Sequence, residues 1–465
     1  LGNRITVEPW SYGELPDYFA NLIVSETSAA GSKGLPADEL IHALRPAGGV
    51  LMLQRKGDPT AFVNTLKVKA EAETKVELSD KWVKFTRGKL DGAGSWTGLY
   101  GNVRNTSSSR DELIKGPMGV LWFGEPGSKY MVDRHARTVS PLAINGRLFV
   151  QDMKRVMGYD AYNGAFLWEK EIKNAFRVRV DVDGTNLAAT DDALFVAAKD
   201  RVLHLDAQTG KTIREYNVPR KAGEPELRWG YIAVRDGVLF GSGAVKLDHE
   251  YRYLWNSIVE NDEWKKAADV PSDARSTLSK VSRLYPKPDE QAYEYFKRVG
   301  LHWQNVNKFP SWLERKHTPL KADPTMMVST KIFAYDTKTG KMLWERKAKD
   351  NIPNISLVIG DGRVFYLEDN LTEAEKKDAV DDAKSYFGSK TFERDKFEEK
   401  LPEDQRDYRR VVCLEARSGR VVWEEPYDLT GCGGTKMGMA YQKGHVLFFG
   451  HYSNHDEGPF NSGDL

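Results

Sequence analysis

The chain has 465 residues, with 68 lysines and arginines against 67 aspartates and glutamates, a formal net charge of +1. That length holds two to three average domains or one long repeat array, and the balanced charge offers no field that would draw the chain to nucleic acid or an anionic membrane. No run approaches the roughly 18 apolar residues of a membrane helix, so no transmembrane segment is expected, while two cysteines, Cys413 and Cys432, exclude a disulfide-rich scaffold and a C-x-x-C-H haem attachment.

In chain order, "RITVEPWSYGELPDYFANLIVSE" followed by "ADELIHALRPAGGVLMLQ" reads as strand, loop, strand, helix, strand. The segments "ANLIVSE" and "GVLMLQ" are short and apolar enough for a buried parallel pair, so residues 1–54 predict a partial α/β layer. The "LP…S" strand and the "LRPAGG" turn resemble the C-terminal half of a class I S-adenosylmethionine-dependent methyltransferase, with Asn21 where an acidic residue is common. That resemblance implies a cofactor-holding glycine-rich loop before Leu1. The opening "LGNRITVEPW" has neither Met nor a signal-peptide pattern and reads as a cut end.

Residues 55–138 read as a charged linker with one short amphipathic element, then an irregular segment rich in Gly, Asn and Ser. This irregular segment is expected to lie against the repeats C-terminal to it; within it Trp96 and Trp122 are packing anchors or, on the alternative reading, ligand-stacking platforms, and "MGVLWFGE" is a closing strand.

From residue 139 one phrase recurs: "GYDAYNGAFLW" at 158–168, "HLDAQTGKTIR" at 204–214, "FAYDTKTGKMLW" at 333–344 and "CLEARSGRVVW" at 413–423. Around each copy apolar residues alternate as in half-buried strands, and Asn145-Gly146 and Asn163-Gly164 stand where tight hairpins need positive φ. Each unit is therefore a four-stranded meander, and such units in series make a mainly β fold, a β-propeller. A fifth unit opens at "MGMAYQKGHVLFFGHYSN", and the array is incomplete at its C-terminal end. The Asp and Gly shape the turn between the third and fourth strands, and Trp168, Trp344 and Trp423 dock blade on blade. The phrase resembles the tryptophan-docking A-x-D-x-x-T-G-x-x-x-W repeat of quinoprotein dehydrogenases and BamB-like propellers, with Arg214 in place of Trp and Glu415 in place of Asp. The resemblance implies a quinoprotein-type propeller over 139–465, eight-bladed when complete, within an exported, periplasmic, multidomain protein.

Two charged, helix-like insertions, about 245–330 and 369–410, interrupt the third and fourth blades between their second and third strands. Both must leave by the face on which the chain enters each inner strand. The loops on that face carry Asp133, Arg134, His135, Arg179, Asp181, Arg228, Trp229 and Lys436, a cationic collar with one aromatic that suits an anionic small molecule or carbohydrate through Arg forks; the alternative is that these charges fasten the loops to one another. No metal constellation, P-loop or G-x-S-x-G appears. Quinoprotein dehydrogenases hold pyrroloquinoline quinone (PQQ) with calcium beside a disulfide of adjacent cysteines; Cys413 and Cys432 are not adjacent, and no calcium set can be carried onto this chain. Three functions are compatible with the residues: a scaffold binding proteins or ligands through its insertion-bearing face, a PQQ-dependent oxidoreductase, and a methyltransferase completed by residues before Leu1.

Overall fold

The computed structural model describes residues 5, 7–9, 11–28, 36–124, 139–152, 155–173, 175, 184–245, 328–368, 371–379, 407–429 and 437–450. The N-terminal unit comprises β1 (Leu22–Ser28), α1 (Ala37–Ala43), β2 (Val50–Gln54), α2 (Thr60–Lys69), β3 (Ala72–Leu78) and β4 (Trp82–Leu90). Its sheet runs β1-β2-β4-β3, with β1 and β2 parallel and the other pairs antiparallel. Leu51 and Leu53 of β2 and Val83 and Phe85 of β4 point to one face, where Leu40, Leu44, Phe62 and Leu66 of the helical layer cover them. Arg87 crosses this core almost fully buried. Its Nη1 donates to the carbonyls of Ile41 and Leu44, both at 2.7 Å, and its Nε to that of Ala70 at 3.1 Å, so one side chain satisfies carbonyls at both helix ends.

The sheet corrects the expectation of a linker after residue 54. Along "AETKVEL" half-buried residues alternate with exposed ones, and along "WVKFTRGKL" buried ones with half-buried ones, while charged residues and threonines recur in both. The two segments nevertheless supply two of the sheet's four strands.

The described residues from 139 onward form four blades of a β-propeller and part of a fifth. Blade 1 is β5 (Leu142–Ile144), β6 (Arg147–Gln151), β7 (Arg155–Asp160) and β8 (Phe166–Glu171); blade 2 is β9 (Leu187–Ala189), β10 (Ala193–Ala198), β11 (Arg201–Asp206) and β12 (Thr212–Asn217). Blade 3 is β13 (Leu227–Arg235), β14 (Val238–Val245), β15 (Val328–Asp336) and β16 (Met342–Pro353); blade 4 is β17 (Val358–Gly360), β18 (Arg363–Glu368), β19 (Tyr408–Glu415) and β20 (Val421–Asp428). Each is an antiparallel meander in sequence order, and β21 (Met437–Gln442) with β22 (His445–Gly450) forms the described part of blade 5. At the first hairpin of blade 1, Asn145 and Gly146 both take positive φ (47° and 69°), the mirror-image turn whose twist matches its strands.

At the third turn the repeated acid binds backbone N–H groups. Asp160 accepts from Tyr162 and Asn163, Asp206 from Gln208 and Thr209, and Asp336 from Thr339. Separate apolar cores fill the spaces between sheets: Phe149 and Trp168 with Leu194 and Leu205, Phe195 and Tyr216 with Trp229 and Phe333, Phe240 and Trp344 with Tyr366 and Leu414, and Phe365 and Cys413 with Met439 and Tyr441. No blade buries its faces alone, which is why the units occur in series.

The first and third turns of every meander share one face of the disc. The connections from β14 to β15 and from β18 to β19, which carry the two insertions, leave by the other. Of the insertions, the structure describes only the start of the second, where residues 373–379 form a helix.

Candidate functional site

The repeated Trp is a blade clamp. The indole of Trp168 donates to Ala207 O of the next blade at 3.0 Å and lies over Gly210, where a Cβ would stand 2.5 Å from the ring. Trp344 repeats this on Ala416 O at 2.9 Å and on Gly419. Trp122, from the irregular segment, does the same to blade 1: its indole donates to Ala161 O at 2.9 Å and covers Gly164. Blade 2 has Arg214 instead, and two side chains divide the task. Arg214 lies over Gly340 and donates to Thr339 O at 2.7 Å, while the Tyr216 hydroxyl donates to Thr337 O at 3.1 Å. Trp423 is half-buried and packs on Phe365 with ring centroids 6.0 Å apart.

Residues 95–107 form a strap across the inner strands, on the face of the first and third turns. Trp96 and Ala143 exchange backbone hydrogen bonds (2.7 and 2.9 Å), and Thr97 O accepts from Ala189 N–H at 3.1 Å. Val103 O then accepts from Ile359 N–H and Arg104 O from Tyr441 N–H. Asn105 Nδ2 donates to Leu357 O (3.2 Å) and Met439 O (2.9 Å), and Arg104 pairs with Asp361, whose other oxygen accepts from the Tyr441 hydroxyl at 2.9 Å. One segment thus bonds blades 1, 2, 4 and 5. Beneath it a void of about 30 Å³ touches Asn102, Asn105, Tyr231 and Asn354, the volume of one water. Beside it lies an open groove of about 820 Å³ with Arg110, Asp191, Asp192, His204 and Lys338 on its walls.

Of the sequence-derived collar, Asp133, Arg134, His135, Arg179, Asp181 and Lys436 lie outside the described residues. Arg228 is half-buried at the start of β13, in register with Ala244 on the insertion-bearing side. Trp229 is corrected: it is 1% exposed and meets Phe333 edge-on at 4.9 Å in the core between blades 2 and 3, so it offers no stacking face to a ligand. Its place in the alternation of β13 puts the ring between the sheets. Trp96 likewise packs against the core of blades 1 and 2.

A quinone site can be tested against the described residues. Cys413 is a free thiol, 1% exposed on β19, facing Phe365 and Met439 across the core between blades 4 and 5. It cannot form part of a disulfide lying on a cofactor ring. Among the described residues no group of three or more His, Cys, Asp or Glu could hold a metal ion. The described residues therefore do not fit PQQ with calcium.

Sequence reasoning missed a polar cluster at the root of the second insertion. Glu368, fully buried at the end of β18, and Glu375 in the helix of residues 373–379 are both held by Arg410 at the start of β19. The Arg410 hydrogen bond, reinforced by the Thr372 N–H, lowers Glu375 to about 2, whereas burial raises Glu368. Arg346 adds hydrogen bonds to the Tyr366 hydroxyl (3.1 Å) and Glu424 (3.4 Å). The signal was present as a capping box, Thr372-x-x-Glu375, hidden inside a run of charges.

A family model described as "Outer membrane protein assembly factor BamB" matches residues 121–247. No curated protein matches the chain. Among solved structures, BamB from Moraxella catarrhalis is 12% identical over 64% of this chain and 54% of its own, with a TM-score of 0.28. The quinohemoprotein alcohol dehydrogenase ADHIIG from Pseudomonas putida HK5 is 12% identical over 76% and 44%, with a TM-score of 0.33. Hydrazine synthase from Kuenenia stuttgartiensis is 11% identical over 61% and 47%, at 0.27. The chain matches about half the length of each of these structures.

Proposed function

We propose that the chain is an exported propeller of BamB-like, PQQ-like repeats that acts as a binding scaffold, with a protein partner on its insertion-bearing face. One observation supports the choice of face: on the opposite face the chain itself occupies the inner strands and the turns of blade 1, leaving the open groove beside the strap. There the strap crosses the inner strands, and the N-terminal unit sits on the turns of blade 1. Arg45 pairs with Asp160 at 2.7 Å, Asn163 Nδ2 donates to Asn21 Oδ1 at 2.8 Å, and the rings of Tyr18 and Tyr162 meet edge-on at 5.2 Å. The partner is assigned to the face that bears the insertions, where Arg410 fixes the root of the second one. The remaining collar, Arg134, His135, Arg179, Arg228 and Lys436 with Asp133 and Asp181, adds a site for an anionic group of that partner, or for an anionic small molecule or carbohydrate.

The test is cross-linking of the full chain in intact cell envelopes, read by mass spectrometry. Intermolecular links are expected on the lysines of residues 246–327 and 369–406. Links concentrated on the N-terminal unit and the first and third turns, with none on the insertions, would overturn the choice of face. Titration with PQQ and calcium checks the oxidoreductase alternative, and no quinone absorbance should be retained by the protein after gel filtration.

For the N-terminal unit we infer kinship with the C-terminal half of a methyltransferase sheet, supported by the parallel β1–β2 pair followed by antiparallel β4 and β3. This half alone should not bind S-adenosylmethionine, and micromolar binding by calorimetry would refute that expectation.

A further inference from the structure

Where the N-terminal unit meets the propeller, the contact is not filled. A cavity of about 290 Å³ lies between the "LRPAGG" turn and blades 1 and 2, lined by Arg45, Gly48, Gly146, Arg147, Asp160 and Gln208 among others, roughly ten times the ~30 Å³ that a water occupies. The closeness of the surrounding contact is shown at Gly146, where a Cβ would come within 2.7 Å of the Ala47 methyl.

Two guanidinium groups reach this cavity and one carboxylate answers them. Asp160, 1% exposed, is committed to Arg45 at 2.7 Å and to the N–H groups of Tyr162 and Asn163. Arg45 Nε is buried with no hydrogen-bond partner. Among the described residues Arg147 bonds backbone carbonyls alone, Asn145 O at 3.4 Å and Asp191 O at 3.1 Å, and no carboxylate lies within ion-pair distance of it. Asp206, Asp160 and Asp191 act on it from beyond ion-pair distance, and Asp206 spends its Oδ1 on its own turn. Burial first, and then the charge of Arg45, hold Arg147 below the ordinary arginine value despite those acids. The protonated guanidinium is under-compensated where it stands. A planar fork beside a second cation is the arrangement that takes an oxyanion, and among the described residues the one carboxylate of the lining, Asp160, pairs with Arg45 and not with Arg147.

We infer that this cavity is an oxyanion site, taking a phosphate or carboxylate group between Arg45 and Arg147 and thereby locking the N-terminal unit onto blades 1 and 2. The site faces away from the insertion-bearing surface and is independent of any partner bound there.

The test uses the full chain and inorganic phosphate or acetate, each titrated calorimetrically at constant ionic strength against chloride. Saturable binding of one anion per chain is expected. Phosphate binding without acetate assigns the group to phosphate-type ligands, and the reverse assigns it to carboxylates. Arg147→Gln should weaken binding at least tenfold, and Arg147→Lys, which keeps the charge but not the fork, should fall between. Should Arg147→Gln fail to fold, hydrogen exchange of the unaltered chain decides: anion should slow exchange at residues 45–50 and 145–150 while leaving blade 4 unchanged. Absence of saturable heat with both anions, unchanged affinity in a folded Arg147→Gln protein, or exchange unaffected at those segments would each overturn the assignment.

Discussion

Trp168 and Trp344 show how one residue joins two sheets. Each indole gives its N–H to a carbonyl across the gap and its ring to a glycine, so substitution on either side of the contact should be felt. Trp168→Ala removes the ring from a buried interface and should cost about 3–5 kcal/mol. Gly210→Ala should cost more than about 1 kcal/mol, since φ is +67° and the new methyl would strike the ring. Arg214→Ala should cost only about 1 kcal/mol, because Tyr216 keeps its own bond to Thr337. Chemical denaturation of the three variants checks this order, and an Arg214→Ala loss as large as that of Trp168→Ala would contradict the division of labour. The repeat phrase revealed the turn acid and glycine directly, since both are backbone requirements. It could not reveal Trp122 as a further clamp: "MGVLWFGE" reads as a closing strand, whereas residues 118–124 form none, and only the position of the ring over Gly164 shows the role. Trp229 misled for the opposite reason. A loop-like "ELRWGY" context suggested a mouth, but the residue already belongs to β13, whose alternation turns the ring inward.

At the scale of elements, the root of the second insertion depends on protonation. Glu375 sits near 2 in the fold against an ordinary 4.5, so its contribution is fully present above pH 4.5 and is lost as the pH falls toward 2. Buried Glu368 acts with opposite sign: its value is raised, so protonation relieves a desolvation cost as the pH falls. Comparison with Glu375→Gln isolates the first effect. The variant should be less stable by about 1 kcal/mol near neutral pH, a partly exposed charge-assisted bond being worth little more, and the difference in urea midpoint should vanish as the pH approaches 2. A difference that grew on acidification would mean the sign is wrong. The same scale explains why the start of residues 55–138 reads as linker although it holds two strands of the sheet. Val83, Phe85 and Leu90 alternate with lysines and threonine on β4, so half of each period looks solvated, and only pairing with β2 and β3 identifies the strand. The meanders were easier to read because repetition showed the period several times over.

Across the whole molecule, the strap is the element that no local pattern announced. It is rich in Gly, Asn, Ser and Thr, which read as an irregular loop, yet its backbone completes the free edges of inner strands in four blades. Long-range pairing of this kind leaves no periodicity in the sequence. The candidate site was legible only in part for a similar reason: propeller topology says which loops share a face, but not that the chain itself crosses the inner strands on the other face. Asn105 gives the sharpest test of the strap. Its amide joins Leu357 O, just before β17, to Met439 O in β21, so it ties blade 4 to blade 5 without touching blades 1 and 2. Asn105→Ala removes both donors and should cost about 1–3 kcal/mol locally, the penalty of part-buried carbonyls left without them. The loss should be confined in space, because neighbouring blades are joined through separate cores. Hydrogen exchange should therefore accelerate in β17 and β21 and stay unchanged in β5 through β12. Acceleration spread evenly over all blades would show that the propeller opens as one unit, and no acceleration at β17 and β21 would show that the strap merely rests on the strands.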